Sequence, residues 1–528
     1  MPLKWLILPG LLSLGACAAV PPAPDETRTL LDDELEQHFP ALQVSGARGD
    51  HPLEHMIPDG PLGPTALQQL ALLGSPDIEV ILAGLGLAHA ARQQRSLLQN
   101  PGFHIEALRP EDGGRWNTEF ELRIGVLDWL TRPLRRELAE EAWHEARLEV
   151  WKSLRQELHA VQQAYYAAVA AEQRLALQDG VLEAYRVSAD FAQELHDAGN
   201  LSELAWLRHE SAAAARANSR EQAASEAEQA RYRLNRLVGL PINTELSLPE
   251  QLPHPVDESP DRAALQQSAR QQRPDLALLQ QSMGIQDQER VLQQRQGILP
   301  GLQAGFILEQ EFSGERHPGL GLGMELPLFD RNQARIAGID ARSEQLQARM
   351  MAQLLDIDRE IAEALRRMQQ QRNIIRQLES EDLPRYERML ELSLREYNFM
   401  LSGTFDLLHI RQQALELQLS RVAALESYWL ARAELDQASG NALSRQAGAE
   451  QPDHIHHSPA GDEGVPPHET EHVHDHGQGQ DHSQEHDHGQ EHDHGQAHDH
   501  GNDQGQEQEH EHNHDHHHHE HQEHSHDQ

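Results

Sequence analysis

The sequence is poor in cysteine, in aromatic residues and in positive charge. Cys17 is the only cysteine among 528 residues, so no intrachain disulfide can form. Aromatic residues make up 4% of the chain, too few for the aromatic girdles that mark the rims of a membrane β-barrel. Lys plus Arg number 44 against 85 Asp plus Glu, a net charge of −41, and this acidic balance argues against nucleic-acid binding. No nucleophile elbow, phosphate loop or paired zinc motif occurs, so the chain reads as a non-enzyme that requires no cofactor. Gly319-Leu-Gly-Leu-Gly323 has the glycine density of a nucleotide loop, but its alternation with leucine fits a strand. The apolar run from Trp5 to Leu14 is too short to span a membrane.

Lys4, that apolar run and the small residues before Cys17 compose a signal peptide over residues 1–16. Leu14-Gly15-Ala16-Cys17 matches the bacterial lipoprotein box, which predicts cleavage before Cys17 and palmitate on that residue. Ala18 follows in place of Asp, which predicts sorting to the outer membrane; an ordinary signal peptide with a chance cysteine is the alternative. Residues 17–63, rich in Pro, Asp and Glu, read as a lipidated tether.

The rest is organised around Gly319-Leu-Gly-Leu-Gly-Met-Glu-Leu-Pro-Leu-Phe-Asp330. It begins as a strand, and Pro327 suits the first turn of a long helix that reaches about Met400, interrupted only by Pro384. At 1.5 Å per residue such a run is on the order of 100 Å long. The pattern occurs twice. Strand-like Glu119–Val126 leads into Arg132-Pro133-Leu134 and a proline-free run to Gly199. Ser75-Pro76-Asp77 answers Arg273-Pro274-Asp275 at an offset of 198, Asn100-Pro101 answers Leu299-Pro300 at 199, and Gly239 answers Gly440 at 201. Pro133 and Pro327 differ by only 194, which predicts about seven extra residues, two helical turns, in the second long helix. These offsets define an internal duplication: a first repeat at 64–240, a Pro-rich linker at 241–262, and a second repeat at 263–445.

In these residues the chain resembles the TolC-like outer-membrane efflux proteins, over roughly Pro76 to Gly440. The resemblance rests on the helix ending in Asn-Pro, two strands per repeat, the strand–Pro-Leu–helix junction (best in Leu326-Pro-Leu-Phe-Asp330) and a glycine closing each repeat. It implies a mainly α fold with a small β part. Duplicated long-helix hairpins of three protomers would form an α-helical barrel, and four strands per protomer would join one trans-protomer β-barrel. It also implies a periplasmic adaptor protein and an inner-membrane pump as partners, the heavy-metal efflux branch being one place for this chain.

Strands are expected at Phe103–Leu108, Glu119–Val126, Gln303–Glu311 and Gly319–Leu326, with Pro318 in the preceding turn. In the second of them Phe120, Leu122, Ile124 and Val126 share one face, and Glu119, Glu121 and Arg123 the other. That is lipid-out, lumen-in alternation, which a half-buried soluble sheet also shows. Four strands cannot close a barrel, so a membrane role requires oligomerisation. Leu154, Val161, Ala168, Leu175, Leu182 and Ala189 form a heptad row whose companion, Leu158 and Tyr165, breaks at Glu172. Such one-sided patterning suits helices packed as staves; a solvent-exposed coiled-coil scaffold is the alternative. The long helices turn at Ala198–Ser202 and Met400–Thr404. By resemblance these turns are periplasmic tips that meet an adaptor and constrict a pore, with Asp197, Gly199, Ser202, Glu203, Met400, Gly403 and Asp406 as candidate residues. Asp197, Glu203 and Asp406 are candidates for a cation-attracting ring, or are simply solvated helix-end acids.

After Arg445 the composition changes. From Gln451 to Gln528 there is no Lys or Arg, with 20 Asp plus Glu and 24 of the 36 histidines. With so few apolar residues the segment 446–528 is predicted to be disordered. His474, His476, His486, His488, His492, His494, His498 and His500 lie in His-x-His pairs, followed by His512, His514 and the run His516, His517, His518 and His519. Neutral imidazole suits Zn²⁺, Cu²⁺ and Ni²⁺, and His-x-His spacing lets two rings reach one ion. A solvated acidic linker that binds metal incidentally is the alternative. Histidines elsewhere, such as His89, His144 and His409, read as ordinary helix residues.

The sequence thus predicts a lipid-anchored homotrimeric outer-membrane channel, with its helices and tail in the periplasm, that passively exports divalent or copper ions. The same channel serving organic compounds, with the tail as a metal buffer, and a non-channel metal-storage lipoprotein are the alternatives.

Overall fold

The computed structural model describes residues 57–440 except 59, 112 and 257–259. Cys17, its signal peptide and the histidine-rich tail lie outside the described residues. Element order confirms two hairpins of long helices, each preceded by a broken helix and a β-hairpin. The first set is α1 (Pro64–Gly74), α2 (Pro76–Ser96), β1 (Gly102–Leu108), β2 (Asn117–Gly125), α3 (Val126–Asp197) and α4 (Glu203–Val238). The second is α5 (Arg262–Gln272), α6 (Pro274–Ile298), β3 (Gln303–Gln310), β4 (Arg316–Gly323), α7 (Gln333–Gln377), a π-turn (Leu378–Asp382), α8 (Leu383–Asn398) and α9 (Thr404–Ser439).

The duplication holds, but its internal alignment differs from the one predicted. Strand ends Gly125 and Gly323 are 198 positions apart, and helix ends Asp197 and Asn398 are 201 apart. The second hairpin therefore carries three extra residues, not seven. The discrepancy comes from matching Pro133 with Pro327. Helix α3 starts at Val126, seven residues before Pro133, because the Val126 and Leu127 amides donate to the Leu302 carbonyl at 3.0 and 3.2 Å. Pro133 lies inside that helix as its eighth residue, past the first turn, where it cannot donate to the Trp129 carbonyl. Pro327 does not begin a helix either. Residues 324–332 are irregular, and α7 starts only after Asn332, whose backbone is left-handed at φ 64° and whose side-chain amide donates to the Gln293 carbonyl at 2.9 Å.

Farther along, Pro384 deprives the helix of one donor and its ring crowds the carbonyl of Ser380. The chain absorbs both by widening into the π-turn, where the Leu383 amide reaches the Leu378 carbonyl.

Each repeat folds back onto its own break. Proline at the first position of α2 and of α6 stops the preceding short helix and starts a new one. Gly239, at φ 89° after α4, packs so closely on the α1–α2 break that a Cβ there would lie 2.1 Å from the Gly74 carbonyl oxygen. Gly440, at φ 74° after α9, packs on the α5–α6 break. The ion pairs near the breaks differ. Arg236 reaches Asp77 at 2.7 Å on the surface. Arg273 sits half-covered, holding Asp275 and Glu360 each at 2.6 Å and the Ala438 carbonyl at 3.3 Å.

The core lies midway along the hairpins, where α3, α7 and α9 meet the linker. Leu154, Leu158, Val161, Tyr165 and Ala168 of α3 are all buried there, so both heptad rows point inward over this stretch. Glu172, where the second row breaks, pairs with Arg231 of α4. Tyr166 stacks on Trp429 with centroids 5.1 Å apart, and the Trp429 Nε1–H donates to the Pro253 carbonyl at 2.8 Å. The linker between the repeats is therefore pinned to the helices.

Candidate functional site

At the end of the hairpins beside Gly125 and Gly323 the two β-hairpins merge into a four-stranded antiparallel sheet in the order β1-β2-β3-β4. β1 begins one residue earlier than expected and β3 ends one residue earlier, while β2 and β4 begin two and three residues earlier and end one and three residues earlier. Pro318 lies within β4, on an edge where its missing donor leaves no partner unsatisfied. β2 pairs with β3, so the sheet joins the two repeats and leaves β1 and β4 as open edges.

Register shows what the sequence of one strand could not. Phe103 and Ile105 face Leu122 and Phe120; these face Phe306 and Leu308, which face Leu320 and Pro318. One sheet face is thus apolar from edge to edge, and its side chains are solvent-exposed, with Leu320 at 89%. A half-buried soluble sheet covers its apolar face, and among the described residues nothing covers this one. The opposite face carries His104, Glu121, Arg123, Glu309 and His317, with Glu121 and Arg123 paired at 3.2 Å. On it Glu106, Glu119 and Glu309 form one cross-strand row that ends at His317, with His104 3.9 Å from Glu106 and the Asn117 amide donating to Glu309 at 3.3 Å; like charges disfavour the adjacent glutamates. This row was legible only once the register was known.

The strands contain few aromatic residues, but exposed aromatics lie just beyond both ends. Trp116 and Phe312 are at the loop end, and Trp129 and Phe329, the latter 91% exposed, are at the helix end. A low aromatic content of the whole chain therefore does not exclude aromatic residues at both ends of the sheet. Among the described residues no single helix is long and apolar enough to cross a membrane; only the bent pair α1–α2 has that composition.

The other end of the hairpins holds the predicted tip residues. Gly199 takes φ 75° after α3, and Ser202 caps α4 by accepting from the Ala205 amide at 3.3 Å. Met400 takes φ 58° at the equivalent position after α8, and its side chain is 94% exposed between exposed Phe399 and Leu401. The Asp406 carboxylate accepts from the Gly403 amide at 3.2 Å, and Glu203 opens α4; both acids favour their helix N-termini. Asp197 instead ends α3, where the helix dipole disfavours a negative charge. Of the three acids, only Asp197 has a position that helix electrostatics does not explain.

Just inside the tips the two hairpins interlock through rings. His209 of α4 stacks on Phe405 of α9 at 4.4 Å, Phe191 of α3 lies 5.3 Å from Phe405, and the His209 Nδ1 lies 3.1 Å from the Ser188 hydroxyl. Burial lowers the His209 pKa. His196 stacks on Trp206 at 5.1 Å. These contacts had no sequence signal, since each forms only once the helices fold back on one another. His89 lies edge-on to Trp143 at 5.6 Å. Among the described residues no three His, Cys, Asp or Glu side chains are placed to hold a metal ion.

Against known proteins, no family model and no curated protein sequence matches this chain. Solved structures do. The outer-membrane channel OprN superposes with a TM-score of 0.60 at 18% identity, covering 74% of this chain and 91% of that one. The Campylobacter jejuni CmeC outer membrane channel gives 0.60 at 16% identity, covering 71% and 85%. CusC, studied for folding and transmembrane channel formation, gives 0.57 at 16% identity, covering 72% and 92%. The chain therefore has the fold of TolC-like outer-membrane channels, the fold its duplicated landmarks predicted.

Proposed function

We propose that this protein is the outer-membrane channel component of a tripartite efflux system, working as a passive conduit from the periplasm. The observation that carries the reading is the sheet: one exposed face apolar from edge to edge, a polar reverse face, and two unpaired edges. Open edges are not tolerated in lipid, so the sheet must be closed by copies of itself. A homotrimer supplying four strands each does this, with exposed aromatics at both rims. The long helices then extend the barrel away from the membrane. Lipid on Cys17 would add an outer-membrane anchor. A periplasmic adaptor would meet the tips, where Phe399, Met400 and Leu401 offer apolar contact and Gly199, Ser202 and Gly403 set the turns. An inner-membrane pump would supply the energy.

The cargo we infer is a divalent or copper ion. Support comes from the Glu106–Glu119–Glu309 row on the polar sheet face, from Asp197 at the tip, and from the tail histidines, which would gather Zn²⁺, Cu²⁺ or Ni²⁺. Two experiments test the reading. Detergent-purified protein in planar bilayers should give cation-selective conductance, and its absence from a trimeric preparation would count against a conduit. A deletion strain should lose tolerance to Zn²⁺, Cu²⁺, Ni²⁺ or Co²⁺. Loss of tolerance to dyes and detergents alone would assign organic cargo and leave the tail as a metal buffer.

A further inference from the structure

We propose that α2 of one copy of this chain packs along α7 of the next, in the register that α6 and α3 adopt inside each chain. The proposal rests on the reading that copies close the barrel, and it adds which helices meet and where.

The internal duplication provides the pattern. Beside the sheet, α2 packs on α3, α3 on α6 and α6 on α7, so α2 and α7 are the two flanks of each chain. Pro76 and Pro274 make α2 and α6 equivalent at an offset of 198. Helices α3 and α7 are equivalent at 200, the spacing of the buried pairs Ala139 and Ile339, Val161 and Ile361, and Ala168 and Met368. A second copy that sets its α2 against α7 repeats the α3–α6 contact across the boundary.

Exposure singles out the same faces. Leu278 and Ile285 of α6 are half-buried, whereas their equivalents on α2, Val80 and Leu87, are 72% and 76% exposed. On α7, Ala337, Ala341, Ala348, Ala352 and Leu355 lie on one exposed helical face, with Leu355 at 72%. Helix α2 leads into β1 and α7 follows β4, so the helical seam continues the two open strand edges. Lipid is the rival cover for α2, which belongs to the bent pair of membrane-like composition. The second copy is favoured because one contact covers both α2 and α7.

The contacts inside the chain fix which residues meet. The Gln281 amide donates to the Glu141 carbonyl at 3.1 Å, the Gln288 amide to the Glu137 carboxylate at 3.3 Å, and the Ser282 hydroxyl to the Glu145 carboxylate. Shifted by 198 and 200, these pairs become Ala83 opposite Ala341, Ala90 opposite Ala337 and Gly84 opposite Gln345. The seam between copies is thus small and apolar where the seam within a chain is polar. Side chains this short let the helix axes approach to about 8 Å.

The test is a short thiol-reactive cross-linker applied to outer-membrane fractions. Ala83→Cys with Ala341→Cys in one chain should give a covalent ladder that ends at three chains. Each single variant should give none, which controls for Cys17. Ala90→Cys with Ala352→Cys, set about 15 residues or roughly 22 Å out of register, should also give none. Ala341 is exposed in the single chain, so Ala341→Trp should fold normally yet lower the trimer fraction in detergent severalfold, while Ala341→Ser should not. Trimers by light scattering without the Ala83–Ala341 ladder would overturn the seam and leave the channel reading standing; monomers would overturn both. Equal ladders from the matched and shifted pairs, or an unchanged trimer fraction in Ala341→Trp, would also overturn it. So would strong labelling of Ala83→Cys by a lipid-soluble maleimide in intact trimers, which would assign α2 to lipid.

Discussion

Gly239 and Gly440 close the two repeats with the same left-handed backbone, but the structure predicts very different consequences for adding one methyl group. Alanine in the left-handed region costs roughly 1–2 kcal/mol at either position. At Gly440 little more is added, because the new Cβ would lie 3.1 Å from the Gln272 Cβ and 3.3 Å from the Arg273 nitrogen, a fit that a few tenths of an ångström of movement relieves. At Gly239 it would lie 2.1 Å from the Gly74 carbonyl oxygen and 2.5 Å from its carbon. That is backbone, fixed between α1 and α2, and opening the gap by about 1 Å adds an overpacking cost of about 1–3 kcal/mol. Gly440→Ala should therefore lose about 1–2 kcal/mol and Gly239→Ala about 2–5 kcal/mol. Asparagine separates the two contributions, because it tolerates the left-handed region but keeps its Cβ. Gly440→Asn should recover most of the loss and Gly239→Asn little of it. The assay is thermal unfolding followed by circular dichroism in detergent. A Gly440→Ala midpoint that falls as far as that of Gly239→Ala would refute the reasoning, as would full recovery in Gly239→Asn.

Further outcomes follow from the same geometry. His159 is 6% exposed, its Nδ1 has no hydrogen-bond partner among the described residues, and burial, helped by nearby Arg155, lowers its pKa from 6.5 to about 4. The unfolded chain takes up that proton first, so stability is lost as pH falls from 6.5 towards 4, by up to about 3 kcal/mol. His159→Gln should flatten that part of the denaturation-versus-pH curve, and an unchanged slope would show the ring to be accessible. Arg273→Ala leaves Asp275 with the Gln353 amide at 2.8 Å and Glu360 with solvent, and should cost about 1–3 kcal/mol, against less than about 1 kcal/mol for Arg236→Ala at the exposed counterpart, as read by urea denaturation. Removing residues 446–528 should abolish most Zn²⁺, Cu²⁺ or Ni²⁺ uptake in equilibrium dialysis while leaving conductance unchanged. In the full chain uptake should fall as pH drops through about 6.5; a tail-less protein with unchanged uptake would place the metal sites elsewhere.

The fold was legible because its landmarks are backbone constraints. Pro76 and Pro274 sit at helix starts that favour proline, Gly239 and Gly440 at left-handed helix ends that favour glycine, and alternation of leucine with glycine marked β4, three residues late at both ends. The short helices α1 and α5 were missed, since 11 residues each give little periodicity and their stability comes from packing. Proline misled where it is tolerated rather than required: Pro133 lies inside α3, and Pro318 lies on an open strand edge. The site was legible only in part. Strand alternation indicated an apolar face, but its continuity, the glutamate row and the rim aromatics all depend on pairing register. Sequence located the turns between the long helices. It could not separate Asp406, which caps its own helix, from Asp197, which does not.

The central claim is that β1 and β4 are closed by neighbouring copies of the same chain. The direct test is cysteine cross-linking in outer-membrane fractions, pairing Ile105→Cys and its β1 neighbours with Leu320→Cys and its β4 neighbours until a register brings the Cβ atoms to about 4 Å. Strands closed across protomers predict a covalent ladder that ends at three chains in one register. Monomers in every register, from protein shown to be folded, would contradict the account.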